Sequence, residues 1–201
     1  MIGCLSLARE TFDIDFAKTK LAKTKKLIRK FDNNINFFDD LITNDKIGEG
    51  AIKYYENNKC SKFIVIQSTF TDAKFISAFV KKFKKPILFI SFKEKRTGSR
   101  LRLNSLCGVN LGLHALIKNK FYSNFINYSN DEQSFSSEIL KFIKKKNNLT
   151  KKNYLKKLNL KTVTKKIIDF KQPKLGLIGE RPEGFDTCDF NNQELKSKFN
   201  A

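Results

Sequence analysis

The stretch Phe63-Ile64-Val65-Ile66-Gln67-Ser68, continued by Thr69-Phe70-Thr71-Asp72, decides how this chain is read. Its apolar, largely β-branched run has the length and composition of a buried strand. Thr71 or Asp72 is placed to cap the helix that follows, whose apolar positions are Phe75, Phe79 and Val80. A strand, a polar loop and an amphipathic helix make one unit of an open parallel sheet covered by helices.

The same unit recurs on either side. Towards the N-terminus, IGCLSLA (Ile2 to Ala8) reads as a first strand, and Asp15 to Arg29 as a helix with Phe16, Leu21, Leu27 and Ile28 partly on one side. INFF, from Ile35, reads as a short second strand, followed by a helix from Asn44 to Asn57. Towards the C-terminus, Pro86 opens a fourth strand, ILFISF. A helix from Ser105 to Ile117, a fifth strand FINY and a helix from Ser134 to Lys145 complete the series. The pattern predicts an α/β fold over residues 1–150: an open parallel sheet with helices on both faces, Rossmann- or flavodoxin-like.

Residues 151–172 read as a connecting helix. LGLIG (Leu175 to Gly179) then starts a new strand, a Gly- and acid-rich loop follows, and NQELKSKF begins a helix. Residues 173–201 are therefore expected to be the first strand and start of a second α/β domain, truncated here, the front part of something longer. There is no internal repeat and no low-complexity linker.

The chain has 201 residues and a formal charge of +20. A basic surface attracts phosphate, but thirty-four of the forty basic residues are Lys and six are Arg, whereas specific phosphate and base contacts favour the flat Arg fork. Lys, Asn, Ile and Phe are over-used together, as A/T-rich codons produce. The reading is surface lysine, with no specific nucleic-acid partner; the dense run from Lys141 to Lys166 reads as the solvated face of a helix carrying Leu155, Leu158, Val163 and Ile167. No apolar run approaches the roughly 18 residues needed to cross a bilayer, and MIGCLSLA lacks a signal peptide's basic start, so a cytoplasmic protein without a membrane partner is expected. Cys4, Cys60, Cys107 and Cys188 share no CxxC spacing and read as reduced, buried small residues, Cys188, in a polar loop, being the one placed to lie near a site.

In sheets of this kind ligands gather where loops leave the carboxyl ends of the strands. Four loops qualify: Ala8 to Asp13, Gln67 to Asp72, Lys93 to Ser105 and Gly179 to Asp189. Arg96, Arg100 and Arg102 fall in the third, Arg9 in the first and Arg181 in the fourth. Two readings stand side by side. The arginines anchor carboxylate, phosphate or sugar hydroxyls, or they pair with Glu10, Asp13, Glu180 or Asp189 to hold loops together. No GxxxxGK[ST], strand-to-helix GxGxxG or GxSxG motif occurs. The glycines of GVNLG (Gly108 to Gly112) read as sites of close helix packing, and His114 as a packing or capping residue rather than a metal ligand or base.

RETFD after the first strand, LRLNSLCGVNLGLHAL in the middle and LIGERPEGFDTCDF near the end resemble the amino-terminal portion of the L-fucose/L-arabinose isomerase family. The resemblance runs from Ile2 to Phe190 and implies aldose–ketose isomerisation of a monosaccharide by a homo-oligomer with a divalent metal, usually manganese. It also implies that the Glu, Asp and His metal ligands lie in later domains, so that this piece binds no metal and holds no catalytic residue. The first domain of such enzymes helps close a neighbouring subunit's site. On that basis Arg9 is the expected substrate contact with Asp13 orienting it, and Asn104, Arg102 and Arg181 are further candidates at a seam. The competing expectation is a stand-alone small-ligand or regulatory binding module that keeps the scaffold without chemistry.

Overall fold

A computed structural model describes residues 1–95, 98–121, 123–128, 131–144, 174, 176, 178–188 and 190–199. Strands and helices alternate: β1 (Ile2–Leu7), α1 (Ile14–Arg29), β2 (Ile35–Ile42), α2 (Asp45–Asn57), β3 (Lys62–Gln67), α3 (Lys74–Phe83), β4 (Ile87–Phe92), α4 (Ser105–Lys118), β5 (Asn124–Tyr128) and α5 (Glu132–Lys144). A short 3-10 turn (Asp186–Cys188) and helix α6 (Asn192–Phe199) follow. All pairings are parallel and the strand order is β2-β1-β3-β4-β5. Of the two expected architectures this is the flavodoxin-like order, with its reversal between β1 and β3.

Every residue of β1 and β4 is buried, as both-face coverage requires. Alternate residues feed two cores. Leu5, Leu7, Phe63, Val65 and Phe89 pack with Tyr55 of α2, Ile76 and Phe79 of α3 and Leu111 of α4. Cys4, Ile64, Ile66, Leu88 and Ile90 pack with Leu21 and Ile28 of α1 and Phe135 and Ile139 of α5. Edge-to-face rings knit the first core, with Tyr55 on Phe63 at 5.1 Å and Phe63 on Phe79 at 4.8 Å. The expected close packing at Gly108 and Gly112 is present: a Cβ there would come within 2.7 Å of the Gln67 amide and 2.8 Å of the Phe89 ring.

The structure departs from the sequence reading in several places. β2 is twice as long as INFF, because its register with β1 slips between Cys4↔Phe37 and Ser6↔Leu41. Two extra β2 residues bulge there, and Asp39 and Asp40 stand exposed between Phe38 and Leu41. The N-cap of α3 is Ala73, without a side-chain cap. Asp72 Oδ1 accepts from Lys74 N (2.9 Å), and the Thr71 hydroxyl accepts from Gln67 Nε2 (2.8 Å), so neither expected residue is the cap itself. His114 is exposed on α4 rather than packed. Cys107 is exposed as well as Cys188, whereas Cys4 and Cys60 are buried and all four are free thiols. Burial pushes the Cys4 thiol up to about 12. The expected connecting helix at 151–172 lies outside the described residues, as do Leu175 and Leu177 of LGLIG; Lys174, Gly176 and Ile178 belong to no strand.

Candidate functional site: a polar cleft at the carboxyl edge of the sheet

The loops leaving β1 and β3 are bound to each other at the strand ends. Ser68 N donates to Leu7 O (2.8 Å) and Arg9 N to Thr69 Oγ1 (2.7 Å), while Phe70 N ties the β3 loop to the β4–α4 loop through Leu103 O (2.7 Å). This lattice fixes the base of Arg9. Its guanidinium Nη2 donates to Asp72 Oδ2 at 2.6 Å and stands 5.8 Å from the centre of the Phe70 ring. Asp72 is held in turn by the Lys74 N–H on its other oxygen. Among the described residues the Arg9 guanidinium makes one side-chain hydrogen bond, to Asp72, and so has further N–H donors in its fork.

Arg9, Asp72 and Lys74 line an open cleft of about 750 Å³. Thr43, Asn44, Asp45 and Lys46 of the β2–α2 wall and Glu183 complete its lining. That wall exists because β2 ends at Ile42 and Asn44 caps α2, its Oδ1 accepting from Ile47 N (3.0 Å). Across the cleft Lys74 Nζ meets Asp45 Oδ2 at 3.1 Å and Glu183 Oε1 at 3.5 Å, and these carboxylates raise the lysine's pKa. The lining is mostly charged, with one hydroxyl, that of Thr43, and one side-chain amide, that of Asn44.

The expected site residues separate into two groups. Asp13 does not orient Arg9. Its Oδ2 accepts from Arg102 Nε (2.8 Å) and Nη2 (2.6 Å), while its Oδ1 caps α1 by accepting from Phe16 N (3.0 Å). The Phe16 N–H and the Arg102 fork hold the Asp13 carboxyl below the usual carboxylate range. Arg102 lies 3.9 Å from the centre of the Phe16 ring and its carbonyl accepts from Asp13 N, so the β4–α4 loop is strapped to the start of α1. Arg100 reinforces the strap through Thr11 O (3.3 Å) and the Phe12 ring (4.7 Å). Arg102 thus makes one of the expected loop-holding acid pairs, whereas Arg100 holds the loop through a backbone carbonyl and a ring rather than through an acid. Asn104 adopts a left-handed conformation (φ 50°) at the N-cap of α4, with no side-chain capping bond. Its N–H and that of Leu103 both donate to the Glu94 carboxylate (2.7 and 2.8 Å). Arg181 is exposed in the fourth loop, and Arg96 lies outside the described residues.

Sequence reasoning missed Asp72 as the partner of Arg9, Glu94 as the anchor of the third loop, and the whole β2–α2 wall. The last miss has a clear cause. Asp39 and Asp40 ended the apolar run early, so the true carboxyl end of β2 was never placed among the strand ends. Among the described residues no three His, Cys, Asp or Glu side chains converge as metal ligands. Asp45 and Glu183 share Lys74, and Asp72 is bound to Arg9. These residues do not fit a divalent-metal site.

Residues 3–151 match the family described as the N-terminal domain of fucose/sulfoquinovose isomerase. The sulfoquinovose isomerase of Priestia aryabhattai is 26% identical over 191 residues, covering 95% of this chain and 39% of that protein. That of Alkalicoccus urumqiensis is 29% identical over 198 residues, covering 98% of this chain and 40% of that protein. The chain thus spans about two fifths of the length of the curated relatives it matches.

Proposed function

The chain belongs to the fucose/sulfoquinovose isomerase family through that family's N-terminal domain, and from this premise we propose that it is the substrate-closing domain of an aldose–ketose isomerase. The observation that carries the reading is the forked donor of Arg9, held by Asp72 at the mouth of a polar cleft beside the β1/β3 reversal. Arg9 contacts the sugar's oxygens, Asp72 aims the guanidinium, and the Asn44–Lys46 wall bounds the sugar on the other side. Its substrate is a monosaccharide, sulfoquinovose being the one named for the relatives.

Moving a carbonyl between adjacent sugar carbons needs a cation to polarise the oxygens and a carboxylate to carry the proton. In this proposal a divalent metal such as manganese and the proton-transfer groups are supplied by the remainder of a longer enzyme. The domain then works in a cytoplasmic homo-oligomer in which one copy completes the site of another. Asn104, Arg102 and Arg181 serve the seam rather than the sugar.

The test is a nuclear magnetic resonance titration of the purified chain with sulfoquinovose and with L-fucose, run beside a turnover assay containing manganese. Shifts confined to the cleft, abolished by Arg9→Ala, with no turnover are expected. Isomerisation by this chain alone, or shifts that survive Arg9→Ala unchanged, contradicts the proposal.

A further inference from the structure

Three consecutive residues far along the chain touch the setting of Arg9. Gly184 lies against Asp72, so closely that a Cβ on it would fall 2.9 Å from Asp72 Cβ and 3.0 Å from Oδ1, and its φ of +80° disfavours any side chain. Its carbonyl accepts from Ala73 N (3.1 Å), supplying the cap that α3 lacks from its own side chains. The Phe185 ring stands 5.9 Å from Phe70, the ring beside the Arg9 guanidinium, and packs on the core formed with α2, α3 and α4. Glu183 reaches Lys74. The turn is closed locally by Phe185 N donating to Pro182 O (3.2 Å) and by Cys188 N donating to Phe185 O (2.9 Å).

We propose that the Glu183–Phe185 turn is a positioning element that fixes Asp72 and Phe70 and through them aims Arg9 into the cleft. The inference rests on the proposed role of Arg9 and adds to it a segment outside residues 3–151. The physical need is plain. Arg9 and Asp72 are 39% and 25% exposed, and an ion pair that accessible holds its geometry poorly unless one partner is immobilised. The Lys74 N–H fixes one oxygen of Asp72. The backbone of Gly184 excludes the space into which the carboxylate would otherwise turn, and Phe185 keeps Phe70 under the guanidinium. The segment also packs on α3 and α4, but Gly184 and Phe185 lie against the carboxylate and the ring that flank Arg9.

The experiment labels the full chain with phenylglyoxal, an arginine-selective dicarbonyl, and follows each arginine by peptide mass spectrometry. Gly184→Ala and Phe185→Ala are each compared with the unaltered chain and with Asp72→Ala. Arg9 should label about fivefold faster in all three variants, the change expected on loosening a partly exposed pair, with Arg29 and Arg102 unchanged as internal references. Three outcomes overturn the proposal: an unchanged Arg9 rate in both turn variants, an unchanged rate in Asp72→Ala, or an equal rise at Arg9, Arg29 and Arg102, which marks a general loosening. Protection of Arg9 by added sugar tests the functional reading separately. If the turn variants expose Arg9 while sugar does not protect it, the positioning stands and the sugar contact fails.

Discussion

Two arginine–aspartate pairs at the same edge of the sheet have the same shortest distance, 2.6 Å, and different work. In the pair Arg102–Asp13, one carboxylate oxygen takes both guanidinium bonds and the other caps α1, so each Asp13 oxygen is spent on structure. In the pair Arg9–Asp72, the aspartate is gripped by Lys74 N and pressed by Gly184, while the arginine faces a cleft. The comparison teaches that an ion pair's role lies in what surrounds its partners. In the proposed reading the fixed acid leaves the base's donors towards the cleft, for a ligand; where both partners are bound to neighbouring loops, the pair is a strap.

The largest expected effect removes the ground beneath both pairs. Phe79 is fully buried between Phe63, Phe75 and Phe83, and Phe79→Ala is expected to cost about 3–5 kcal/mol in urea unfolding. Both pairs should be lost in that one transition; survival of either in a separate, later transition would show that the carboxyl edge folds independently of this core.

A smaller change sharpens the contrast. Asp13→Asn should lower the Tm by a few degrees at neutral pH and leave the cleft's response to sugar intact. Because the Asp13 pKa is depressed on folding, its contribution is present above the unfolded value of about 3.9 and is lost as pH falls through the lower folded value. The variant and the unaltered chain should therefore converge in acid. A neutral-pH loss of sugar response in Asp13→Asn would erase the distinction between the pairs.

The smallest effect belongs to Lys74, whose side chain is exposed and whose pKa is raised first by the Asp45 bond. Lys74→Met should reduce the Tm slightly at neutral pH. With a raised folded pKa, that difference is present below the unfolded value of about 10.4 and closes as pH climbs through the folded one. A deficit that persists in strong alkali would point to packing instead of charge.

Much of the scaffold was legible in the residues. Parallel strands covered on both faces read as unbroken apolar runs, which is why β1, β3 and β4 were placed within a residue or so. The bulged β2 was half hidden, since two aspartates in the bulge break the very pattern that marks a strand. Arg9 was legible as a rare arginine at a strand end. Its partner was not, because Asp72 and Asp13 both lie in strand-end loops, and Asp13, four residues away, was the nearer in sequence.

What the residues determined unaided is local: which segments are strand or helix and which loops leave the carboxyl edge of the sheet. Those follow from backbone preference and hydrophobic period, which act over a few residues. Which arginine meets which aspartate was decided only in three dimensions, across 63 residues for Arg9 and Asp72 and 89 for Arg102 and Asp13. The physical reason is that charge attraction carries no sequence address: strand order, the slip in β2 and the arrival of Gly184 beside Asp72 settle the distances, and the distances settle the chemistry.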